Sequence, residues 1–119
     1  MVETLASGYG LVEGPTVDEN GNLYVGYYTR QYGSCETDGC QDFRLSSSSN
    51  DGVTWSTRRI TTSSMPNLTD VTNPVQQGFI GDYNSIHATG GSVYMTWADT
   101  RGLNGVTEED AYFAKVPQI

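Results

Sequence analysis

The residues of this chain that could do chemistry are scattered rather than clustered. Glu13, Asp82 and Tyr83 each stand just ahead of a predicted strand. A carboxylate or phenol placed there is presented at one end of a sheet, but Asp in such a position also caps turns and Tyr fills interfaces. Arg101 follows Asp99 by two residues, a spacing that suits a local ion pair fixing the loop after a strand. His87 is the single histidine and lies within a predicted strand, with no Ser or Cys nucleophile arranged beside it. Trp55 and Trp97 read first as core residues, although an exposed aromatic ring would suit stacking on sugar rings. Glu36-Thr37-Asp38 and Glu108-Glu109-Asp110 are acidic runs whose spacing fits no EF-hand loop, so they read as solvated surface. No cofactor and no metal ion is expected.

Cys35 and Cys40 bracket four residues. Two cysteines and one histidine do not make a four-ligand zinc site, and the spacing is too long for a Cys-x-x-Cys redox pair. A local disulfide closing a surface loop is the favoured reading, implying an oxidising compartment, with a pair of free thiols as its alternative. Asn67-Leu68-Thr69 fits a glycosylation sequon.

The elements that must position these residues are strands. The chain has 119 residues, a net charge of −8, 14 Gly and 8 Tyr, and no long helix-forming run. The acidity argues against nucleic acid or an anionic membrane as partner. No apolar run approaches the ~20 residues of a membrane span. The N-terminus lacks the basic and apolar regions of a signal peptide, as a mature secreted chain also would.

Val2–Ala6 reads as a short strand, followed by Thr16–Asp18 and an Asn20-Gly21 hairpin turn. Next come Leu23–Tyr28, predicted to be buried on both faces, and Asp42–Ser47. Ser56–Thr62 is polar enough for an outer edge, and residues 63–80 are loop-like. Asn84–Ala88, a second strongly buried strand Val93–Ala98, and Asp110–Val116 complete the set. The chain repeats itself. Gly21-Asn22-Leu23-Tyr24-Val25 matches Gly91-Ser92-Val93-Tyr94-Met95 seventy residues later, which sets Tyr27 on Trp97. Asp42-Phe43-Arg44-Leu45 matches Asp110-Ala111-Tyr112-Phe113 sixty-eight residues later.

One stretch occurs in the first unit only. Ser48-Ser49-Asn50-Asp51-Gly52-Val53-Thr54-Trp55 places turn-forming Asn, Asp and Gly between two strands. The spacing of Ser48, Asn50, Gly52, Thr54 and Trp55 resembles the Asp-box of sialidase-like (BNR repeat) β-propellers, with Asn50 where Asp is usual. Gly81-Asp82-Tyr83-Asn84 and the stretch Val93 to Arg101 are similar to the same family. The resemblance implies an all-β fold of two four-stranded β-propeller blades of the sialidase type. It makes residues 1–119 a single module, with blade one at about 11–63 and blade two at about 79–119, completed by the N-terminal strand 2–6. In that family the Asp-box is a folding device between the two outer strands of a blade, away from the active site.

Two blades bury their faces only against neighbours, so the chain is expected either to assemble or to belong to a longer propeller. A homotrimer would close the six-bladed ring of the family. The resemblance further implies carbohydrate as ligand, a secreted or extracellular location, and Glu13, Asp82, Tyr83 and Arg101 as candidate binding residues facing a central channel. Sialidases clamp the substrate carboxylate with three arginines, and use a Glu-activated Tyr nucleophile and an Asp acid/base. The chain offers Arg30, Arg44, Arg58, Arg59 and Arg101 but lacks an Arg-Ile-Pro stretch near the start. The expectation is therefore a non-catalytic carbohydrate-binding module, the alternative being a glycoside hydrolase, exo-sialidase-like, whose site is completed by other blades or by oligomerisation. The N-terminal stretch, with Glu13-Gly14-Pro15 and Asn20–Tyr24, also resembles the gluconolactonase (SMP-30) propellers, in which the Glu is a metal ligand. The other ligands of that family have no counterpart that can be placed here.

Overall fold

A computed structural model describes residues 15–29, 32, 41–65, 84–101 and 110–119. Among them there are seven strands and no helix: β1 (Thr16–Val17), β2 (Leu23–Thr29), β3 (Asp42–Ser48), β4 (Ser56–Arg59), β5 (Ser85–Thr89), β6 (Ser92–Asp99) and β7 (Asp110–Pro117). They form two antiparallel sheets, ordered β1-β2-β3-β4 and β5-β6-β7. The expected strand at 2–6 that would complete the second sheet lies outside the described residues.

The repeat in the sequence is a repeat in register. Tyr27 pairs with Arg44 in the first sheet, and Trp97 pairs with Tyr112 in the second. Leu23 opposite Ser48 corresponds in the same way to Val93 opposite Val116. Strands β1 and β5 are likewise equivalent, with Val17 opposite Leu23 and Ala88 opposite Val93.

Side chains alternate between the faces of a strand, so this register decides which faces meet. The first sheet turns Tyr24, Gly26, Tyr28, Phe43 and Leu45 toward the second, which answers with Ala88, Val93, Met95 and Trp97. Phe43 stacks on Trp97 with ring centroids 4.9 Å apart and planes 6° from parallel, and Tyr28 meets Phe43 edge-on at 5.5 Å. The Tyr28 hydroxyl accepts from Ala98 N and donates to Ala98 O, both at 2.9 Å, which ties the sheets through the backbone of β6. Gly26 is required at this contact: a Cβ there would lie 2.8 Å from Phe43 Cζ and 3.6 Å from Ile86 Cδ1.

Tyr24 and Tyr94 are equivalent by position, yet Tyr24 faces the other sheet and Tyr94 faces away from it. The sheets therefore pack front to back, the opposite of a two-fold sandwich in which like faces meet. The outer face of the second sheet carries His87, Tyr94, Thr96, Phe113 and Lys115, and Phe113 is 62 % exposed. This corrects the sequence expectation for β6. It is buried on one face only, whereas β2 is buried on both, as its near-continuous apolar run suggested. Met65 is the other correction. It lies in a stretch read as loop, but it forms a bridge with Gln41 and is fully buried in the core.

Candidate functional site

Two turns define one end of the sheets. At the β1–β2 hairpin the loop is three residues, Glu19–Gly21, rather than a two-residue turn centred on Asn20-Gly21, because Asp18 N donates to Asn22 O. The Asp18 carboxylate organises this turn. It accepts from Asn20 N, Asn22 N, Asn22 Nδ2 and the Tyr24 hydroxyl, all within 2.9 Å. Burial opposes its charge, but these four donors outweigh that effect and hold the pKa down at about 2. The Tyr24 hydroxyl also accepts from Ile119 N, which pins the last residue to the same turn.

The turn from β3 to β4 is the stretch 48–55, and its polar side chains bond one another. Ser48 Oγ accepts from Gly52 N at 2.9 Å and Asn50 N at 3.3 Å, and donates to Asn50 Oδ1. Asn50 Oδ1 also accepts from Thr54 N, while Asn50 Nδ2 donates to Thr54 Oγ1. Asp51 and Gly52 both take left-handed backbone, φ 59° and 83°, and Gly52 O accepts from Trp55 Nε1 at 3.0 Å. No charge takes part in these bonds. Trp55 is half-buried, packed near Gly52 and Leu23, and is not the deeply buried core residue that the sequence suggested.

The opposite end, where Thr29 pairs with Asp42 and Asp99 with Asp110, holds the ionic groups. Asp42 is fully buried and accepts from Arg59 Nε at 2.7 Å and from the hydroxyls of Thr61 and Ser64. Asp99 is equally buried. It accepts from Trp97 Nε1 at 2.9 Å and from the backbone N, Nε and Nη2 of Arg101. Arg101 Nη1 continues to Thr62 Oγ1 at 3.1 Å and Ser63 Oγ at 3.4 Å, and its guanidinium lies over the Tyr112 ring. The segment Thr61–Ser64 is thus a strap with alternating allegiance. Thr61 and Ser64 serve Asp42 in the first sheet, and Thr62 and Ser63 serve Arg101 in the second.

This arrangement decides the role of Arg101. Its fork is occupied by Asp99, whose hydrogen bonds raise the guanidinium pKa, and its remaining nitrogen is bound to the strap. It is a staple between sheets, the ion pair that the Asp99–Arg101 spacing suggested. Glu13, Asp82, Tyr83, Cys35 and Cys40 lie outside the described residues. His87 is exposed on the outer face of the second sheet. Among the described residues, no group of three or more His, Cys, Asp or Glu is placed to hold a metal ion.

Among the described residues, two polar side chains have buried atoms without partners. Asn84 is 7 % exposed at the start of β5, and neither its amide nitrogen nor its amide oxygen is hydrogen-bonded. Arg44, on β3, has a buried Nε without an acceptor. An uncompensated buried donor costs about 1–3 kcal/mol. Nothing in the local sequence marks either residue, because the signal is the absence of a neighbour in space. A groove of about 100 Å³ lies between Tyr24, Leu45, Ser47, Thr57, Arg58 and Ile119. It falls short of the ~300 Å³ at which small-molecule pockets begin.

Comparison with known proteins assigns no family: no family model matches the chain, and neither a curated protein nor a solved structure matches it.

Proposed function

We propose that the chain is a pair of β-propeller blades of the sialidase-like, Asp-box type, and that it serves as a non-catalytic, secreted carbohydrate-binding module. The observation that carries the reading is front-to-back packing of two sheets with equivalent register. Such packing is not self-limiting. The relation between the first and second sheet can be applied again, and the exposed face with Tyr94 and Phe113 is what a following blade would cover. The self-bonded Asp-box turn between the two outer strands of the first sheet supports the same reading.

The ring is completed by further blades, either three copies of this chain forming six blades or the remainder of a longer protein. Ligand binding then falls to the junctions between blades; the groove beside Tyr24 and Arg58 is too small for a sugar. Arg101, whose fork is held by Asp99, is not available to clamp a substrate carboxylate. Native mass spectrometry with light scattering tests the assembly: a trimer supports ring closure by identical chains, and a stable, non-associating monomer refutes it. A glycan array paired with a fluorogenic sialoside assay tests the activity. Array binding without turnover is expected, and turnover would replace the module reading with the hydrolase.

A further inference from the structure

We propose that Arg44 and Arg59 form an oxyanion-binding site on the face of the first sheet that points away from the second. The two residues are direct cross-strand partners on β3 and β4. Two like charges so placed repel each other unless something anionic lies between or beside them. Asp42 neutralises only one of them. Its carboxylate takes Arg59 Nε and also accepts from the hydroxyls of Thr61 and Ser64. Among the described residues, the Arg44 side chain makes no ion pair and no hydrogen bond. It has one buried, unsatisfied Nε–H and lies against the Tyr27 ring, 5.7 Å from the centroid.

Arg59 is similarly prepared. Its Nε is used, its two Nη groups make no hydrogen bond among the described residues, and its guanidinium lies over the Tyr32 ring at 5.1 Å. Tyr27 in turn is fixed by a hydroxyl bond to Ser46 at 2.8 Å, so the surface beneath Arg44 is rigid. The result is a local surplus of one positive charge on a chain of net charge −8, with both guanidinium groups on aromatic supports. An unneutralised pair of guanidinium groups is the arrangement that a planar or tetrahedral oxyanion completes, by accepting from the Nη groups of Arg44 and Arg59 together. Carboxylate, sulfate and phosphate share this chemistry. The site lies on the two outer strands and does not depend on the chain's being part of a propeller.

The test is titration of the intact chain with sodium sulfate, inorganic phosphate and sodium acetate, each at constant ionic strength against sodium chloride. The readouts are calorimetry and the NMR signal of the Arg44 Nε–H group, assigned through its own side chain. A saturable shift of that signal is expected with at least one oxyanion and not with chloride, together with a rise in melting temperature at saturation. Preference for acetate identifies a carboxylate ligand, and preference for sulfate or phosphate a tetrahedral one. Arg44→Gln abolishes saturation, Arg44→Lys weakens it by removing the fork, and Arg58→Gln, on the opposite face, leaves it intact. If Arg44→Gln does not fold, the wild-type titration alone decides. Absence of saturation with all three anions, an equal response to chloride, or equal loss in Arg58→Gln overturns the proposal.

Discussion

Gly26→Ala is the sharpest perturbation of the contact between the sheets. The added methyl would sit 2.8 Å from Phe43 Cζ and 3.1 Å from Phe43 Cε2. These separations are far inside ordinary carbon–carbon contact at ~3.5–4.0 Å. Phe43 is poorly able to retreat, because it is stacked on Trp97 on one side and held edge-on by Tyr28 on another. Overpacking of this kind costs about 1–3 kcal/mol. Replacing Gly by Ala returns about 0.4–1 kcal/mol by restricting the unfolded chain. The net expectation is a loss of about 1–2 kcal/mol, a fall in Tm of several degrees for a chain of this size. Urea unfolding followed by Trp fluorescence measures it as a lower midpoint at unchanged slope. The double variant Gly26→Ala/Phe43→Leu supplies the decisive comparison. If the clash with the Phe43 ring is the cause, the smaller side chain relieves it, and the two changes together cost clearly less than their sum. Additive costs, or a Gly26→Ala variant as stable as wild type, would refute this account of the interface.

Four further outcomes follow from the turns and the ionic end. Asn50→Asp keeps the acceptor for Ser48 and Thr54 and lets the Thr54 hydroxyl turn to donate, so its melting temperature should match wild type within the ~0.5 kcal/mol of a neutral surface change. Trp55→Ala, at a half-buried site, should cost about 1–3 kcal/mol by urea titration, less than the ~3–5 kcal/mol of a fully buried aromatic. For Asp18 the folded pKa of about 2 lies below the ordinary 3.8. Its contribution is present in full above the ordinary value and fades as pH falls from about 4 toward 2. Urea midpoints across that range should decline in wild type and decline less steeply in Asp18→Asn. Arg101→Ala leaves the buried Asp99 with only the Trp97 indole and a backbone N–H, which should cost about 2–4 kcal/mol in thermal melts, discounted from a fully buried pair because the guanidinium is partly exposed. Arg101→Lys should recover only part of that loss, since an ammonium cannot reproduce the fork.

What the sequence by itself determined is local and periodic. The turn between β3 and β4 follows from residues within eight positions of one another, so Ser48, Asn50, Gly52 and Thr54 could be read as one self-bonded unit from sequence. The repeat was legible because equivalent strands keep the same alternation, and the shared register confirms it residue for residue. The polar character of β4 marked it as an edge in the same way. The tertiary structure decided whatever depends on a partner distant in the chain. Met65 became core only through its bridge to Gln41, and Trp55 proved half-buried although its type argued for the interior. Phe43 and Trp97, far apart in sequence, stack because the sheets meet front to back, and no periodicity says which face of a sheet finds which neighbour. The same holds for the charges. Arg101 and Arg44 look alike as residue types, but the fold gives one a buried carboxylate with a four-residue strap and leaves the other unpaired on a tyrosine ring. Charge pairing is set by distances between strands, and sequence spacing constrains those only within a single turn.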